Sequence, residues 1–593
     1  MACLEPVARQ QSDLREAASA GRLLCQSRDK HGSAEFAGWG ATRAVAAIRD
    51  LTRIAISPAQ RSVLLDDLRG LGAEGAAALI DTGKPDEAVL LLEAATAIQL
   101  AQASALAGVA ADIEVLGAHG HAELAAQLAA AVAGLASSQN LAHAEVEDGG
   151  GGASDSQRRL RADYDRARRA VNALAGADPT LAAHLSPALR EATLDDVRAV
   201  SRRLGGPVVY VAATEDEGFA LIVQWDDPSV GVVRLPRLAS GTISHLHQRN
   251  SEAVRQCQVA VADYLALAHL KPGGGLRSRA LQAVRDAEAE LGDLMVDFVD
   301  RTTNAITAPL LGELGSPGVI ALIPLGLVAY LPLSASVIAE TSGATTTVTV
   351  APNALCLTAA PPPILSGGVA VIAHPGIPPL PCAPLEAANV ARAHSRTRVR
   401  PADFAAGATA VDDAGGSAPV RLRTNPEHPQ DPEPPVAGDL VQAAMAELAA
   451  ADVVHFICHG HQSPQQPSES ALLLDAPLTV AAIERLDLAN RPHVVLSACE
   501  TGLIGRALPE EHVGLPAALL QAGAGSVLAA LWPVDDTATA EFMGDYHRRL
   551  AASGDPSLAL AGTQRQWHLE GREPHHWAAW VLTGHAGPTG IAR

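Results

Sequence analysis

The hydrophobic pattern of the chain divides it into a helical part and a sheet-forming part. Up to about residue 145, alanine and leucine recur at helical spacing, most clearly over residues 62–82, 86–107 and 121–136. From Pro207 onward, short apolar runs typical of buried strands alternate with helical patterns. This order predicts an all-α region followed by an α/β fold, with a mostly parallel sheet flanked by helices.

One pair of helices in the N-terminal region has the form of a repeat unit. The pattern ends one helix at Gly83 and begins the next with Pro85 in its first turn. A helix–turn–helix of this kind resembles a tetratricopeptide hairpin. We see one convincing copy, whereas a solenoid needs several copies to bury its faces. A degenerate helical-repeat region and an ordinary helical bundle therefore both stay open.

The pattern also suggests where the domains begin and end. We expect a helical region at residues 1–145, a Gly-rich linker at 146–156 and a helical connector at 157–204. Two α/β parts should follow, at residues 205–365 and 366–593. The runs PVVYVAAT and FALIVQW, separated by a short acidic turn, predict a β-hairpin. Residues 401–437 are rich in Pro and Gly without periodicity, and we expect them to form an exposed loop.

The last part of the chain shows the clearest alternation of helices and strands. We predict helices over residues 439–450, 479–486, 513–522, 536–550 and 557–568. The predicted strands are residues 452–458, 493–498, 525–531 and 577–583. Counting with a period of two, His455 and Cys458 lie on opposite faces of their strand, and Cys458 is expected in the core.

Charge and cysteine content exclude several classes of protein. The net charge is −21 with no cluster of Lys and Arg, which argues against nucleic acid as a main partner. The 7 cysteines have no paired spacing, so we expect free thiols in a reducing cytosol. The chain begins without an apolar signal-peptide core, and no run is long enough to span a membrane. We therefore expect a cytoplasmic protein without a membrane partner.

Two strings near the C-terminal end carry the residues most suited to chemistry. HFICHGH at 455–461 brings a strand-like run to His459, and VVLSACETG at 494–502 brings another to Cys499. The carboxyl ends of neighbouring parallel strands meet at one edge of a sheet, where α/β proteins bind ligands. A thiol beside an imidazole can become a nucleophilic thiolate. The sequence thus indicates a His–Cys dyad, although a buried cysteine near a core histidine would give the same pattern.

The surroundings of the dyad suggest how a substrate carbonyl would be held. The backbone amides of Gly460 and Cys499 are candidates for an oxyanion hole, because negative charge on a carbonyl oxygen needs preorganised N–H donors. Cys458, His459 and His461 form a cluster that lacks the separated second pair of ligands of a structural zinc site. We therefore expect neither a metal nor a cofactor.

A longer series of motifs resembles a known family. HFICHG, LSACETG, VGLP, GAG, LWPVDD and HWAAWVLTG occur in the order and spacing of the CHAT domain. The likeness continues upstream through PVVYVAAT, IPLGLVAYLPLSAS and LPCAPLE, and so covers roughly residues 205–593. CHAT proteins are caspase-like peptidases similar to separases, and are often attached to tetratricopeptide repeats. The resemblance implies a caspase-like fold in which His459 is the general base and Cys499 the nucleophile. It also implies a pseudo-caspase-like unit at residues 205–365, where no Cys/His pair ends the strands.

Three further residues are candidates for the substrate pocket. Asp535 and Asp536 follow a strand predicted to lie next to the Cys499 strand, so either can reach the P1 side chain of a substrate. An Asp at this place can equally cap the following helix, and we expect a cap for one and a pocket role for the other. Ser497 occupies the position at which metacaspases carry an Asp for basic P1 residues and caspases a Gln. This difference leaves the P1 preference open.

Taken with the resemblance, these features predict a cysteine endopeptidase. It would cleave a protein substrate through a thioester intermediate, and an activator or partner would bind its helical N-terminal region. One alternative is a catalytically silent scaffold that uses the same motifs for packing. A second alternative is a cysteine hydrolase of small amides, which would have a closed pocket instead of an extended groove.

Overall fold

The fold is taken from a computed structural model of the full chain. The structure describes residues 14–26, 33–54, 63–98, 109, 112–146, 155–182, 184–185, 192–267, 275–341, 346–357, 368–374, 380–394, 420–424, 438–461, 463, 469–498 and 514–585. Residues 147–154 of the linker predicted at 146–156 lie outside these ranges.

Helices occupy most of the described residues before residue 205. They are α1 (Leu14–Cys25), α2 (Ala34–Ile54), α3 (Leu71–Asp81), α4 (Pro85–Ala95), α5 (Ala122–Val146), α6 (Asp155–Ala177), α7 (Pro179–Ala182) and α8 (Leu194–Leu204). The helical pair predicted around Gly83 is present as α3 and α4. Gly83 has a φ of 73°, the left-handed conformation that glycine adopts without strain. Pro85 then begins α4 in the first turn, where its missing N–H costs nothing.

Strands and helices alternate through the rest of the chain. The strands are β1 (Val208–Ala213), β2 (Gly218–Val223), β3 (Gly231–Leu235), β4 (Val319–Pro324), β5 (Thr347–Val350), β6 (Val369–Ala373), β7 (Val420–Thr424), β8 (Val453–Ile457), β9 (His459–His461), β10 (Ala471–Leu473), β11 (Pro477–Thr479), β12 (His493–Ser497), β13 (Ser526–Ala530) and β14 (Trp580–Gly584).

The helices of this part cover the sheet. They are α9 (Ser240–Ala266), α10 (Gly275–Thr302), α11 (Ala308–Leu314), α12 (Leu333–Glu340), α13 (Ala383–His394), α14 (Asp439–Leu448), α15 (Val480–Ile483), α16 (Leu515–Gln521), α17 (Asp536–Ser553), α18 (Pro556–Leu569) and α19 (Pro574–Trp577). A π-helical turn, Thr303–Thr307, joins α10 to α11. Within the described ranges, every helix is too short or too polar to span a bilayer.

Among the described residues, eleven strands form one sheet with the order β3-β2-β1-β4-β5-β14-β13-β12-β8-β6-β7. Strands β1, β4, β5 and β14 are mutually parallel neighbours, and so are β13, β12, β8, β6 and β7. The two parallel blocks meet where β14 pairs with β13 in antiparallel orientation. The carboxyl ends of the two blocks therefore lie at opposite edges of the sheet.

Helices bury both faces of this sheet, as the continuous apolar runs predict. One face packs against α9–α13 and α17–α19 through a large cluster that includes Val209, Leu528 and Trp580. On the other face, α1–α4 and α8 cover the β1–β4 side, and α14–α16 cover β8 and β12. Helices α5–α7 have a small separate cluster that includes Leu128 and Val171.

The N-terminal helices are tied to the sheet by a buried carboxylate. Glu93 of α4 is 5% exposed and accepts a hydrogen bond of 2.6 Å from the Tyr210 hydroxyl in β1. The same carboxylate accepts hydrogen bonds from the backbone N–H of Ala354 and Leu355, at 2.6 and 3.4 Å. A buried carboxylate is tolerated when several donors reach it, and here they come from two different parts of the chain. The α3–α4 pair is thus part of one packed unit with β1.

The structure differs from the predicted elements in several places, and two of the differences involve strands near the candidate motifs. Val420–Thr424, inside the predicted loop 401–437, forms strand β7 and pairs in parallel with β6. The remainder of that loop lies outside the described residues. His459–His461 forms the short strand β9, which belongs to a separate antiparallel sheet of order β11-β10-β9. Both strands were missed because five and three residues are too few to establish a period.

Candidate functional site

The candidate site lies at the edge where the carboxyl ends of β6, β8, β12 and β13 meet. Strands β8 and β12 are adjacent and parallel, with Ile457 opposite Ser497 in the register. The pairing continues one residue beyond the strands, since the Cys458 N–H donates to the Ser497 carbonyl over 3.4 Å. The backbone positions two residues beyond each strand are those of His459 and Cys499. The two strands that lead to these residues are therefore neighbours and end at one edge of the sheet.

The backbone of His459 belongs to the separate three-stranded sheet β11-β10-β9. His459 is the first residue of β9 and pairs with Leu473 of β10, and the next residue, Gly460, pairs with Leu472. Both His459 and Gly460 are half-buried. The apolar residue Leu472 anchors β10 in the core beneath this edge. The backbone around the candidate base is consequently fixed on two sides, by β8 and by β10.

Cys499 lies outside the described residues, so its distance to His459 is not part of the structure. The chain is described as far as Ala498. Ser497, two residues before the cysteine, is 6% exposed, and its hydroxyl has no hydrogen-bond partner among the described residues. By strand alternation it shares a face with Val495 and His493. The dyad and the oxyanion role of the Gly460 and Cys499 amides stay predictions.

The two candidate pocket carboxylates have structural partners. Asp535 is the N-cap of α17 and accepts hydrogen bonds from the backbone N–H of Thr537 and Ala538, both at 2.9 Å. Asp536 accepts a hydrogen bond of 2.6 Å from the N–H of Cys382, just before α13. Asp535 is exposed, and both hydrogen bonds use the same oxygen, Oδ1. Each carboxylate keeps one oxygen outside these hydrogen bonds, Asp535 is the more exposed of the two, and the pocket role stays a prediction.

A histidine that the sequence analysis did not single out lies at the same edge. His374 directly follows β6, and its backbone N–H donates to the Ile457 carbonyl over 2.9 Å. The signal was available, because the string GVAVIAHP is another apolar run that ends in a reactive residue. It lacks the following glycine that marked His459 and directed attention there.

The described thiols are poorly suited to act as nucleophiles. Cys25 and Cys458 are buried. Burial raises the pKa of Cys257 and that of Cys382, and nearby carboxylates raise both further. Burial also raises the pKa of Cys356 to about 12. Because the thiolate is the reactive form, these five cysteines are expected to react slowly at neutral pH.

A buried chain of histidines lies beneath the candidate edge. In the middle of β8, His455 Nε2 lies 2.8 Å from Glu386 Oε1 of α13. His455 Nδ1 lies 3.0 Å from His547 Nε2 of α17, and His547 Nδ1 lies 2.9 Å from His394 Nε2. Burial lowers the pKa of His547, and lowers that of His394 to about 4, with the neighbouring imidazole of His455 as a further cause. The chain therefore runs from Glu386 through His455 to two histidines whose neutral forms are favoured by burial.

The faces of β8 were predicted correctly around this chain. His455 faces α13 and α17, whereas Cys458 packs on the other face in the cluster of α14–α16. On the neighbouring strand β12, His493 Nδ1 lies 2.8 Å from Ser526 Oγ, and the Tyr546 hydroxyl lies 2.8 Å from His493 Nε2. Burial lowers the pKa of His493 to about 3. The strands that lead to the candidate dyad are thus bonded through their side chains to α13, α17 and β13.

The strands that form the candidate edge lie in a region that matches a known protein family. Residues 300–585 match the family model of the CHAT domain. The match begins later than residue 205, where the motif series suggested a start, although β1–β3 belong to the same sheet. No group of three or more His, Cys, Asp or Glu residues in the described ranges is arranged to hold a metal ion. None of the curated proteins compared with the chain matches it.

Among solved structures, the chain is similar to the separase of Saccharomyces cerevisiae in two crystal structures of its complex with securin. The TM-scores are 0.40 and 0.42, and the sequence identities are 9% and 10%. The alignments cover 97% of this chain and 50% of the separase chain, so the chain spans about half the length of separase. TM-scores this low indicate only a distant similarity.

The family match and the observed architecture agree with the motifs. The mostly parallel sheet, its flanking helices and the helical N-terminal region confirm the predicted caspase-like α/β fold class. The matched range contains β8, β12 and β13, whose carboxyl ends form the candidate edge. Residues 300–585 of the chain therefore correspond to a CHAT domain.

Proposed function

We propose that this protein is a cysteine endopeptidase in which His459 is the general base and Cys499 the nucleophile. The observation that carries the proposal is the register of β8 and β12 inside the matched CHAT domain. Ile457 and Ser497 are direct neighbours, and His459 and Cys499 each come two residues later in the sequence. An imidazole at that edge can take the proton of a neighbouring thiol.

The proposed reaction follows from these two groups. His459 accepts the thiol proton of Cys499, and the thiolate sulfur attacks the carbonyl carbon of the scissile peptide. The carbonyl oxygen becomes negatively charged, and the N–H groups of Gly460 and Cys499 donate hydrogen bonds to it. The C–N bond then breaks, and the amine leaves with the proton that His459 held. Water hydrolyses the resulting thioester, which releases the acid and restores the thiol.

The substrate would be a protein segment that lies along this edge in extended form. We propose that Asp535 faces the P1 side chain, with Asp536 and Ser497 nearby, and that the enzyme favours Arg or Lys at P1. Support comes from Asp535 Oδ2, which is not needed for the helix cap, and from the exposure of this side chain. A carboxylate facing a groove attracts a basic side chain strongly once water is excluded.

We further propose that an activator or partner acts through the helical N-terminal region. The α3–α4 pair supports this role because it is bonded to β1 through Glu93 and Tyr210. A partner that moves α4 would therefore move a strand of the sheet that also carries the candidate edge.

The decisive experiment is competitive labelling of the full chain with a peptidyl electrophile, followed by peptide mapping. We expect Cys499 to be alkylated fastest, because burial or a raised pKa slows the thiols described above. The variant His459→Ala should slow this labelling near pH 7, and Cys382→Ser should leave it unchanged as a control. Faster alkylation of Cys458 or Cys257 than of Cys499 would contradict the dyad. An unreactive Cys499 in an activated sample is the result expected of a silent scaffold.

A further inference from the structure

A cavity lies at the other edge of the sheet, away from the candidate dyad. Its volume is about 360 Å³, within the range typical of sites for small molecules. It is formed by the start of α9, the residues after β3, the end of α10 with the π-helical turn, and Leu331. Leu331 follows β4 through a short 3-10 helix, Gly326–Tyr330. The cavity thus lies at the carboxyl ends of strands of the first parallel block, a common place for ligands in α/β folds.

The walls of the cavity are apolar and fixed. Four of the lining side chains are 1–8% exposed and belong to the main core: Leu238, Ile243, Leu246 and Leu331. The π-helical turn supplies Asn304 and Ala305 to the lining. Turns of this kind interrupt the regular helix and are frequent at functional sites. A concave surface with such walls can receive the apolar body of a ligand.

The mouth of the cavity is positively charged. Arg237 and Arg301 both line it, and no Asp or Glu is among its described lining residues. Arg301 Nε lies 2.8 Å from the carboxylate of Asp297, which Arg249 also approaches, at 3.4 Å. Two guanidinium groups therefore share one carboxylate, which leaves a surplus positive charge. Arg237 is exposed and has no hydrogen bond or ion pair to any residue that the structure describes.

Such a site is unusual for this chain. The protein has 44 Lys and Arg against 65 Asp and Glu, so a concave surface lined by arginine and without acidic residues is not the average surface. An unpaired guanidinium presents a planar set of donors that matches a carboxylate. A cationic ligand would be repelled by both arginines, and a neutral apolar ligand would leave Arg237 unused.

We propose that this cavity binds a small amphipathic carboxylate, with the carboxylate on Arg237 and Arg301 and the apolar body against Leu238, Leu246 and Leu331. The ligand is a free small molecule, since the cavity volume suits one. The proposal is independent of the peptidase function, because it rests on residues at the opposite edge of the sheet.

Binding can be tested by thermal unfolding of the full-length protein with sodium octanoate as the probe. We expect octanoate to raise the Tm by a few degrees at saturating concentration. Octan-1-ol, octylammonium and acetate, which lack either the negative charge or the apolar body, should have little effect. The variant Arg237→Gln should weaken octanoate binding at least about tenfold. Arg285→Gln, an exposed arginine of α10 outside the cavity, should bind as the original protein does.

A second pair of variants distinguishes an effect of charge on octanoate binding from an effect of the substitution on folding. Thr242 is exposed at the mouth, so a substitution there does not disturb the core. Thr242→Glu should abolish octanoate binding by repulsion, whereas Thr242→Gln should retain it. Equal binding of octanol or acetate, or full binding by Arg237→Gln, would overturn the proposal. So would no response to octanoate together with binding of an acidic peptide, because the ligand would then be a protein segment.

Discussion

His455 Nε2 lies 2.8 Å from Glu386 Oε1, and both side chains are excluded from solvent, with exposures of 0% and 1%. A carboxylate oxygen accepts hydrogen bonds, and here it faces the Nε2 of His455. This pair joins the middle of β8 to the first turn of α13. His547 extends the link to α17. The strand that leads to His459 is therefore held in place by buried polar contacts as well as by its neighbours in the sheet.

The substitution His455→Ala should destabilise the protein by about 3–5 kcal/mol, because it leaves the Glu386 carboxylate buried without its partner. The free energy of unfolding from urea titration measures this loss. The control is Arg255→Ala, which breaks the exposed pair Arg255–Glu252 and should cause no measurable change. A loss no larger for His455→Ala than for the control would mean that the buried pair contributes nothing to stability.

The protein should lose stability as the pH falls below about 6.5. An unfolded histidine takes up a proton near pH 6.5, whereas burial keeps His493 neutral in the folded state down to about pH 3. Between these values the unfolded state binds more protons, so each such histidine costs about 1.4 kcal/mol per pH unit. His394, with a pKa lowered to about 4, adds to the effect.

This pH dependence can be assigned to one residue. The variant His493→Gln can still bond to Ser526 and Tyr546 but does not titrate, so the plot of unfolding free energy against pH should become less steep by about one proton. His461→Gln, at an exposed position, is the matched control and should leave the slope unchanged. An unaltered slope in His493→Gln would show that other groups account for the acid sensitivity.

Removal of the Glu93 carboxylate should loosen the N-terminal helices from the sheet. Glu93→Ala leaves the Tyr210 hydroxyl and two backbone N–H groups without their acceptor, at a cost of about 1–3 kcal/mol. Amide hydrogen exchange should become faster in α4 and β1 together. Tyr210→Phe should cost less, about 0.5–1.5 kcal/mol, because Glu93 keeps its backbone donors. Exchange that rises in α4 alone would indicate that this contact does not couple the two elements.

The variant Asp535→Asn should reduce cleavage of peptides with Arg or Lys at P1 and leave Cys499 labelling intact. Asparagine caps a helix as well as aspartate does, so the substitution removes the charge and keeps the cap. Cleavage rates on matched peptides with basic and apolar P1 residues measure the effect. Asp536→Asn is the comparison, because its carboxylate bonds to the N–H of Cys382. A P1 profile that is unchanged in Asp535→Asn removes this carboxylate from the pocket.

The sequence was most informative where one segment determines the result. The strands at Val453–Ile457, His493–Ser497 and Ser526–Ala530 match the predicted ones to within two residues, because each is a continuous apolar run. The α3–α4 hairpin was predicted correctly because glycine and proline mark its turn. For the site, the sequence predicted that the strands leading to His459 and Cys499 are neighbours, and it predicted none of the surrounding contacts.

What the sequence did not reveal depends on contacts between distant segments. His455 is 69 positions from Glu386 and 92 positions from His547 in the sequence, and no local spacing connects them. The same is true of Glu93 and Tyr210, 117 positions apart. Isolated buried polar residues resemble ordinary surface residues in a sequence, and only the packed fold shows that they are partners.

The position of β14 has a consequence for how the protein is made. This strand lies between β5 and β13 and joins two blocks that are built from earlier segments. Until the ribosome has released Gly584, β5 and β13 both have an unpaired edge, and edges of this kind pair with other chains. Pairing of such distant segments is slow. A nascent chain therefore completes its central sheet only after Gly584 has been translated, later than every other strand described in that sheet.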